Sequence, residues 1–190
     1  MITTVSRILV ILSLCALYIS AIAMAEDKMV ALPGEVSQIV SPDGRWALVN
    51  IDSENNEINK FLGDNHALYL MELGSDKMIH IYSYARHVDI LWSNGGSMLL
   101  INDYAGSNYS FPIVVEMNSG CSKINVKEKL MEQFPNTYSV LRSHHLYIEG
   151  TEWLNARHLK VEVHGYGDTA PNGFTLWFEY TIGNGFKQIE

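Results

Sequence analysis

Tight-turn signals punctuate this chain at short intervals: Ser41-Pro42-Asp43-Gly44, Gly74-Ser75-Asp76, Asn94-Gly95-Gly96, Asn118-Ser119-Gly120, Asn172-Gly173 and Asn184-Gly185. Such residues supply the positive φ angles and side-chain hydrogen bonds that close hairpins. Between them lie short runs rich in β-branched and aromatic residues: VSQIV, RWALVNI, HALYLMEL, KMIHIYSY, VDILW, SMLLIND, PIVVEM, HLYIEGTEWL, RHLKVEVHGY and FTLWFEYTI. Runs of that length and composition, bounded that closely, predict an all-β domain of about ten strands built as stacked antiparallel hairpins.

Alternation within the runs predicts which faces are covered. In FTLWFEYTI, Phe174, Leu176, Phe178, Tyr180 and Ile182 share one face while Thr175, Glu179 and Thr181 share the other, the pattern of a half-buried strand. In HALYLMEL, apolar residues fall on both faces, which predicts an interior strand of stacked sheets. One stretch breaks the period: in Asn125 to Phe134, Val126, Leu130 and Phe134 recur at helical spacing and Pro135 stops the run, so one short surface helix is expected there.

The chain opens with one cation, Arg7, an apolar run from Ile8 to Tyr18, and Ala23-Met24-Ala25 just before Glu26, Asp27 and Lys28. This order predicts a secretory signal peptide, residues 1–25, with cleavage after Ala25. The expected location is then periplasmic or secreted, with no stable membrane insertion after cleavage. Residues 26–190 are read as a single domain, because 165 residues suffice for one sizeable core and two domains would each be small. Without the leader, 12 basic residues face 21 acidic ones, a net charge of −9. Such a surface repels nucleic acid and anionic lipid and opposes self-association, so a monomer is favoured over a dimer. Only Cys121 remains beyond the leader, which leaves no intramolecular disulfide despite the oxidising destination.

Aligning the turns exposes a weak repetition. VSPDGRWALVNID from Val40 lies over WSNGGSMLLINDY from Trp92, matching Ser41 with Ser93, Gly44 with Gly96, Leu48 with Leu100 and Asn50 with Asn102. A shorter copy, WLNARHLKVEV from Trp153, matches Trp92 with Trp153 and Asn94 with Asn155. The turns Ser41-Pro42-Asp43-Gly44-Arg45-Trp46 and Trp92-Ser93-Asn94-Gly95-Gly96-Ser97 resemble the WSPDG turn of WD-repeat-like and TolB-like β-propellers. That resemblance covers most of Val36 to Val163 and implies a small or incomplete β-propeller, since blades of about 40 to 45 residues give only three to four in this chain. It also implies a structural, hydrogen-bonded role for His87 and Asp103, which stand near the positions of the blade network in WD repeats.

The segment RHVDILWSNGGSMLLINDYAGSN gathers the candidate binding residues Arg86, His87, Asp103, Tyr104, Ser107 and Asn108. Asp103 to Asn108 follows a predicted core strand, and a strand-end loop of polar groups, one aromatic and one Gly is how rigid sheets carry binding sites. A small secreted hydrolase using His87, Asp103 and Ser107 is the alternative, although the chain contains no G-x-S-x-G. Carboxylates at Asp52, Glu54, Asp64 and Asp103 carry no spacing that identifies a glycosidase pair. His158 and His164, six residues apart on one predicted strand, sit roughly 20 Å apart, too far for one zinc. Asp52 to Glu57 alternates acids and amides without the central Gly of a calcium loop. No metal and no cofactor is therefore expected. The function these features predict is non-catalytic binding by an exported protein whose partner is another protein or an envelope component. An envelope inhibitor or immunity protein is the third reading.

Overall fold

Three four-stranded antiparallel meanders follow one another along the chain. The computed structural model describes residues 23–24, 28–52, 66–75, 77–117, 120–135, 145–168 and 170–190. The expected cleavage after Ala25, most of the acidic loop beyond Asp52, Asp64 and the Asn118-Ser119 turn lie outside the described residues. Two short strands come first, β1 (Ala23–Met24) and β2 (Val30–Leu32). The first meander is β3 (Gln38–Val40), β4 (Trp46–Asp52), β5 (His66–Glu72) and β6 (Met78–Tyr84). The second is β7 (Val88–Trp92), β8 (Met98–Asp103), β9 (Tyr109–Glu116) and β10 (Ser122–Asn125). Helix α1 (Val126–Gln133) leads towards the third: β11 (His145–Asn155), β12 (His158–Gly167), β13 (Ala170–Thr181) and β14 (Gly185–Ile189).

Hydrogen bonding groups these strands into two sheets, β1-β3-β4-β5-β6 and a nine-stranded sheet ordered β14-β13-β12-β11-β9-β8-β7-β2, with β10 also on β9. Strand β9 forks. Tyr109 and Ser110 pair in parallel with Leu146 and Tyr147 of β11, while Ile113 to Glu116 pair antiparallel with β10. The fork lets the third meander fold back over the second and bury a common core. Neither sheet closes on itself among the described residues.

The result is three layers with two cores. Leu48, Leu68, Leu70 and Ile81 of the first meander meet Ile90, Leu99, Ile101 and Val115 of the second. On the opposite face of that second meander, Leu91, Met98, Leu100 and Val114 meet Ile148, Leu159, Val161 and Phe178 of the third. The middle layer is covered on both sides, so every residue of β8 is buried. That is why SMLLIND reads as an unbroken apolar run. The doubly covered strand is therefore β8. Strand β5, expected from its sequence to need cover on both faces, keeps Tyr69 and Met71 half-exposed on the outside, where Tyr69 meets the His80 ring at 5.3 Å. A tyrosine and a methionine tolerate a wet face that Leu68 and Leu70 do not.

The first hairpins of the first two meanders close alike. Ser41 N–H donates to Trp46 O and Ser93 N–H to Met98 O, each at 2.9 Å, and the Gly44 and Gly96 amides donate back to the serine carbonyls. The serine hydroxyls accept from Trp46 N and Met98 N, both at 3.0 Å. Gly44 and Gly96 have φ of +68° and +67°, which only glycine adopts without strain. The two turns also touch: a Cβ at Gly96 would lie 2.6 Å from Asp43 Oδ1. Helix α1 takes the predicted place, capped by the Asn125 side chain accepting from Glu128 N at 3.2 Å. Val126 and Leu130 are buried under it, Phe134 meets Phe178, and Gln133 clamps both backbone groups of Phe186.

Candidate functional site

The layers are joined by single polar side chains inside otherwise apolar seams. Asn102, 1% exposed, donates to Gly150 O at 2.8 Å and accepts from Gly150 N at 2.9 Å. The Trp153 indole donates to Leu91 O at 3.2 Å. Towards the first meander, Tyr82 OH donates to Asp103 Oδ2 at 2.6 Å, and within that meander Tyr84 OH donates to Asn50 Oδ1 at 2.8 Å. A buried polar group held this way costs little to keep and much to disturb.

At one end of the seam between the second and third meanders these links become a chain of titratable groups. Tyr104 OH donates to Asp89 Oδ2 at 3.1 Å, and the Glu149 carboxylate lies close enough to act on the same phenol. Burial, reinforced by the negative charges of Glu149 and Asp89, pushes the Tyr104 phenol far above the ordinary tyrosine range, so it remains a neutral donor. His87 Nε2 lies 3.0 Å from Asp89 Oδ1 at one end, and His164 Nε2 3.8 Å from Glu149 Oε1 at the other. Ser110 adds a hydroxyl donated to Glu149 at 3.1 Å. Five side chains, His87, Asp89, Tyr104, Glu149 and His164, thus connect two layers.

This chain opens onto the outer face of the third meander. Strand alternation sends Leu146, Ile148 and Gly150 inward and His145, Tyr147 and Glu149 outward, and β12 likewise turns out Glu162, His164 and Tyr166. Register sets His145 opposite Tyr166 and Tyr147 opposite His164. Their rings stack as two nearly parallel pairs, with centroids 4.1 Å and 5.1 Å apart and interplanar angles of 16° and 21°. Gly165 between them admits no side chain, because a Cβ there would lie 2.0 Å from His145 O. Beside the rings is an open cleft of about 600 Å³ lined by Tyr147, His164, Tyr166, Asn172, Phe174 and Thr175. Tyr166 is 49% exposed.

The six residues singled out from sequence do not converge on one point. Asp103 is 4% exposed and aims its carboxylate at Tyr82 of the first meander. His87 turns the other way, to Asp89 and to the Tyr104 ring at 5.0 Å. Tyr104 is the centre of the polar chain. Ser107 and Asn108 are exposed, and their carbonyls accept from Tyr147 OH at 2.9 Å and Leu146 N at 3.0 Å, which ties the loop to β11. Arg86 is exposed just before β7.

The chain matches no family model, no curated protein and no solved structure. The site rests on its own geometry.

Tyr147, Glu149 and Tyr166 are the members that reading the sequence segment by segment misses; Asp89 stands in the Arg86 to Asn108 segment, and His164 is met only as a possible zinc ligand. The signal was present in HLYIEG and VEVHGY, whose outward positions alternate His, Tyr and Glu, but pairing across strands is needed to assemble them. Among the described residues no group of three His, Cys, Asp or Glu is placed to hold a metal ion. His66 and His80 are cross-strand residues of the first meander, with His66 Nδ1 2.7 Å from Asp52 Oδ1 and His80 Nε2 2.9 Å from Ser83 Oγ. Cys121 is buried, and burial pushes its thiol up although Lys123 draws it down. Chemically, then, the site offers aromatic faces, a neutral phenolic donor, carboxylate acceptors and imidazoles, on strands or, for His87 and Tyr104, at strand ends.

Proposed function

We propose that this chain is an exported, non-catalytic recognition module that contacts an envelope component or partner protein through the outer face of its third meander. The observation that carries this reading is the paired ring platform of His145, Tyr147, His164 and Tyr166, displayed half-exposed on interior strands whose other face is core. Strands fixed by a core hold side chains in place before any ligand arrives, which lowers the ordering cost of binding. The Asp103 to Asn108 loop borders this face through its bonds to β11. Export rests on the leader pattern of residues 1–25, and the likeness of the two SPDG and SNGG turns to those of WD-repeat-like and TolB-like propellers supports reading each meander as a blade.

Co-sedimentation of the purified mature protein with an isolated envelope fraction tests the reading. Retention of wild type, with loss of retention in the exposed-site variant Tyr166→Ala, is expected. Equal retention of Tyr166→Ala and wild type would place the contact elsewhere.

A further inference from the structure

The lining of the cleft selects among ligand classes, and we infer that it takes a neutral saccharide; this rests on the recognition reading above. Among the described residues no Lys or Arg lines the cleft, and the outward carboxylates Glu149 and Glu162 face each other across β11 and β12. An anionic ligand is repelled there. Farther along the same face, Lys160 lies over the Trp177 ring, 4.7 Å from its centroid. A peptide gains nothing from backbone pairing, because β11 and β12 are interior strands with neighbours on both sides. Compact organic cations are held by rings set around them as a box. Here the rings lie nearly parallel within each pair and offer flat platforms instead.

What remains is a ligand that presents a flat apolar C–H face to a ring and a rim of neutral hydroxyls to donors and acceptors. A pyranose does both. Tyr166, the most exposed ring, supplies the platform. Asn172 and Thr175 on β13 supply amide and hydroxyl groups at the rim, and His164, stacked on Tyr147, supplies an imidazole. The row continues along β13 from Thr175 to Trp177, both outward, so a second sugar unit has a second ring to lie on. An open cleft of about 600 Å³ suits a short oligosaccharide end better than a fully enclosed small molecule.

The test titrates the mature protein with lactose, cellobiose, maltose and chitobiose, and separately with choline, following backbone amide resonances. At least one disaccharide is expected to shift the amides of Gly165, Asn172, Gly173 and Thr175, with a dissociation constant of about 1 mM, as expected of a shallow site. Tyr166→Ala and Asn172→Ala are each expected to weaken it tenfold or more. Tyr166→Phe, which keeps the platform, is expected to bind within about twofold of wild type, and Met78→Ala, on the far meander, to bind as wild type. The proposal is overturned if no disaccharide shifts these amides, if choline shifts them at lower concentration, or if Tyr166→Ala binds unchanged. Failure here with Tyr166-dependent envelope retention intact removes only the ligand class; loss of both removes the recognition reading as well.

Discussion

Tyr104 and Tyr84 give the protein an alkaline limit. Both phenols are pushed well above the ordinary tyrosine range, Tyr104 by burial with Glu149 and Asp89, Tyr84 by burial with Asp52 and Asp103. The folded protein therefore keeps these protons where the unfolded chain releases them, above about pH 10. Their contribution is fully present below that pH and declines as pH rises further, at most by about 1.4 kcal/mol per pH unit for each phenol, and by less for the partly exposed Tyr104. Denaturant midpoints recorded from pH 8 to 11 are expected to fall, and Tyr84→Phe to flatten the fall. In the seams, Asn102→Ala strips both Gly150 backbone groups of their partner and is expected to lower stability by about 1–3 kcal/mol. Asp103→Ala, which abandons the Tyr82 hydroxyl, is expected to cost a similar amount. The residues of these locks were partly legible. Asn50 and Asn102 align in the sequence, and Asp103 stood out as a network residue, but Gly150 lies 48 positions from Asn102 and no local pattern names it. Likewise Tyr104 was visible and Glu149 was not, since their meeting depends on how two layers fold over each other.

Hairpins are the elements that composition specified best. Turn residues with positive φ and alternating runs located both flanking strands of each aligned turn, and the helix followed from three apolar residues at helical spacing. The strands that escaped are β1, β2 and β10, two to four residues each, too short for alternation to register, whereas the charged run from Gly185 reads as an edge strand and β14 is one. The contact between the first two turns gives a test at this scale. Gly96→Ala forces a left-handed backbone onto a residue with a Cβ and drives that Cβ into Asp43, so a loss of about 1–3 kcal/mol is expected. Adding Asp43→Ala relieves the collision and leaves the backbone term, so the double variant is expected to recover part of the loss. Full recovery would show that φ at Gly96 costs nothing. Additivity of the two single effects would show that the turns do not touch.

Across the whole molecule, protection grades from the edges to the middle layer. Amides of β8, covered on both faces, are expected to exchange only through global unfolding, whereas those of the outermost strands β6 and β14 exchange through local opening, as hydrogen exchange measured by NMR would register. Exposed Lys187 and Glu190 at the β14 edge discourage strand addition. Light scattering is accordingly expected to give the mass of one chain, and a mass near twice that would show the edges pairing. Layer order escaped the sequence for a physical reason. An unbroken apolar run says that both faces need cover without saying what covers them, and the fork in β9 that brings the third meander back is set by one short parallel ladder. The middle layer also dictates a timetable. During synthesis the first two meanders emerge before residues 145–190 exist, and for that interval Leu91, Met98, Leu100 and Val114 have no facing layer. A ribosome-bound or truncated chain ending near Pro135 is in that condition permanently, a sticky half-product that needs a chaperone or aggregates, so the last quarter of the polypeptide decides whether the first three quarters stay in solution.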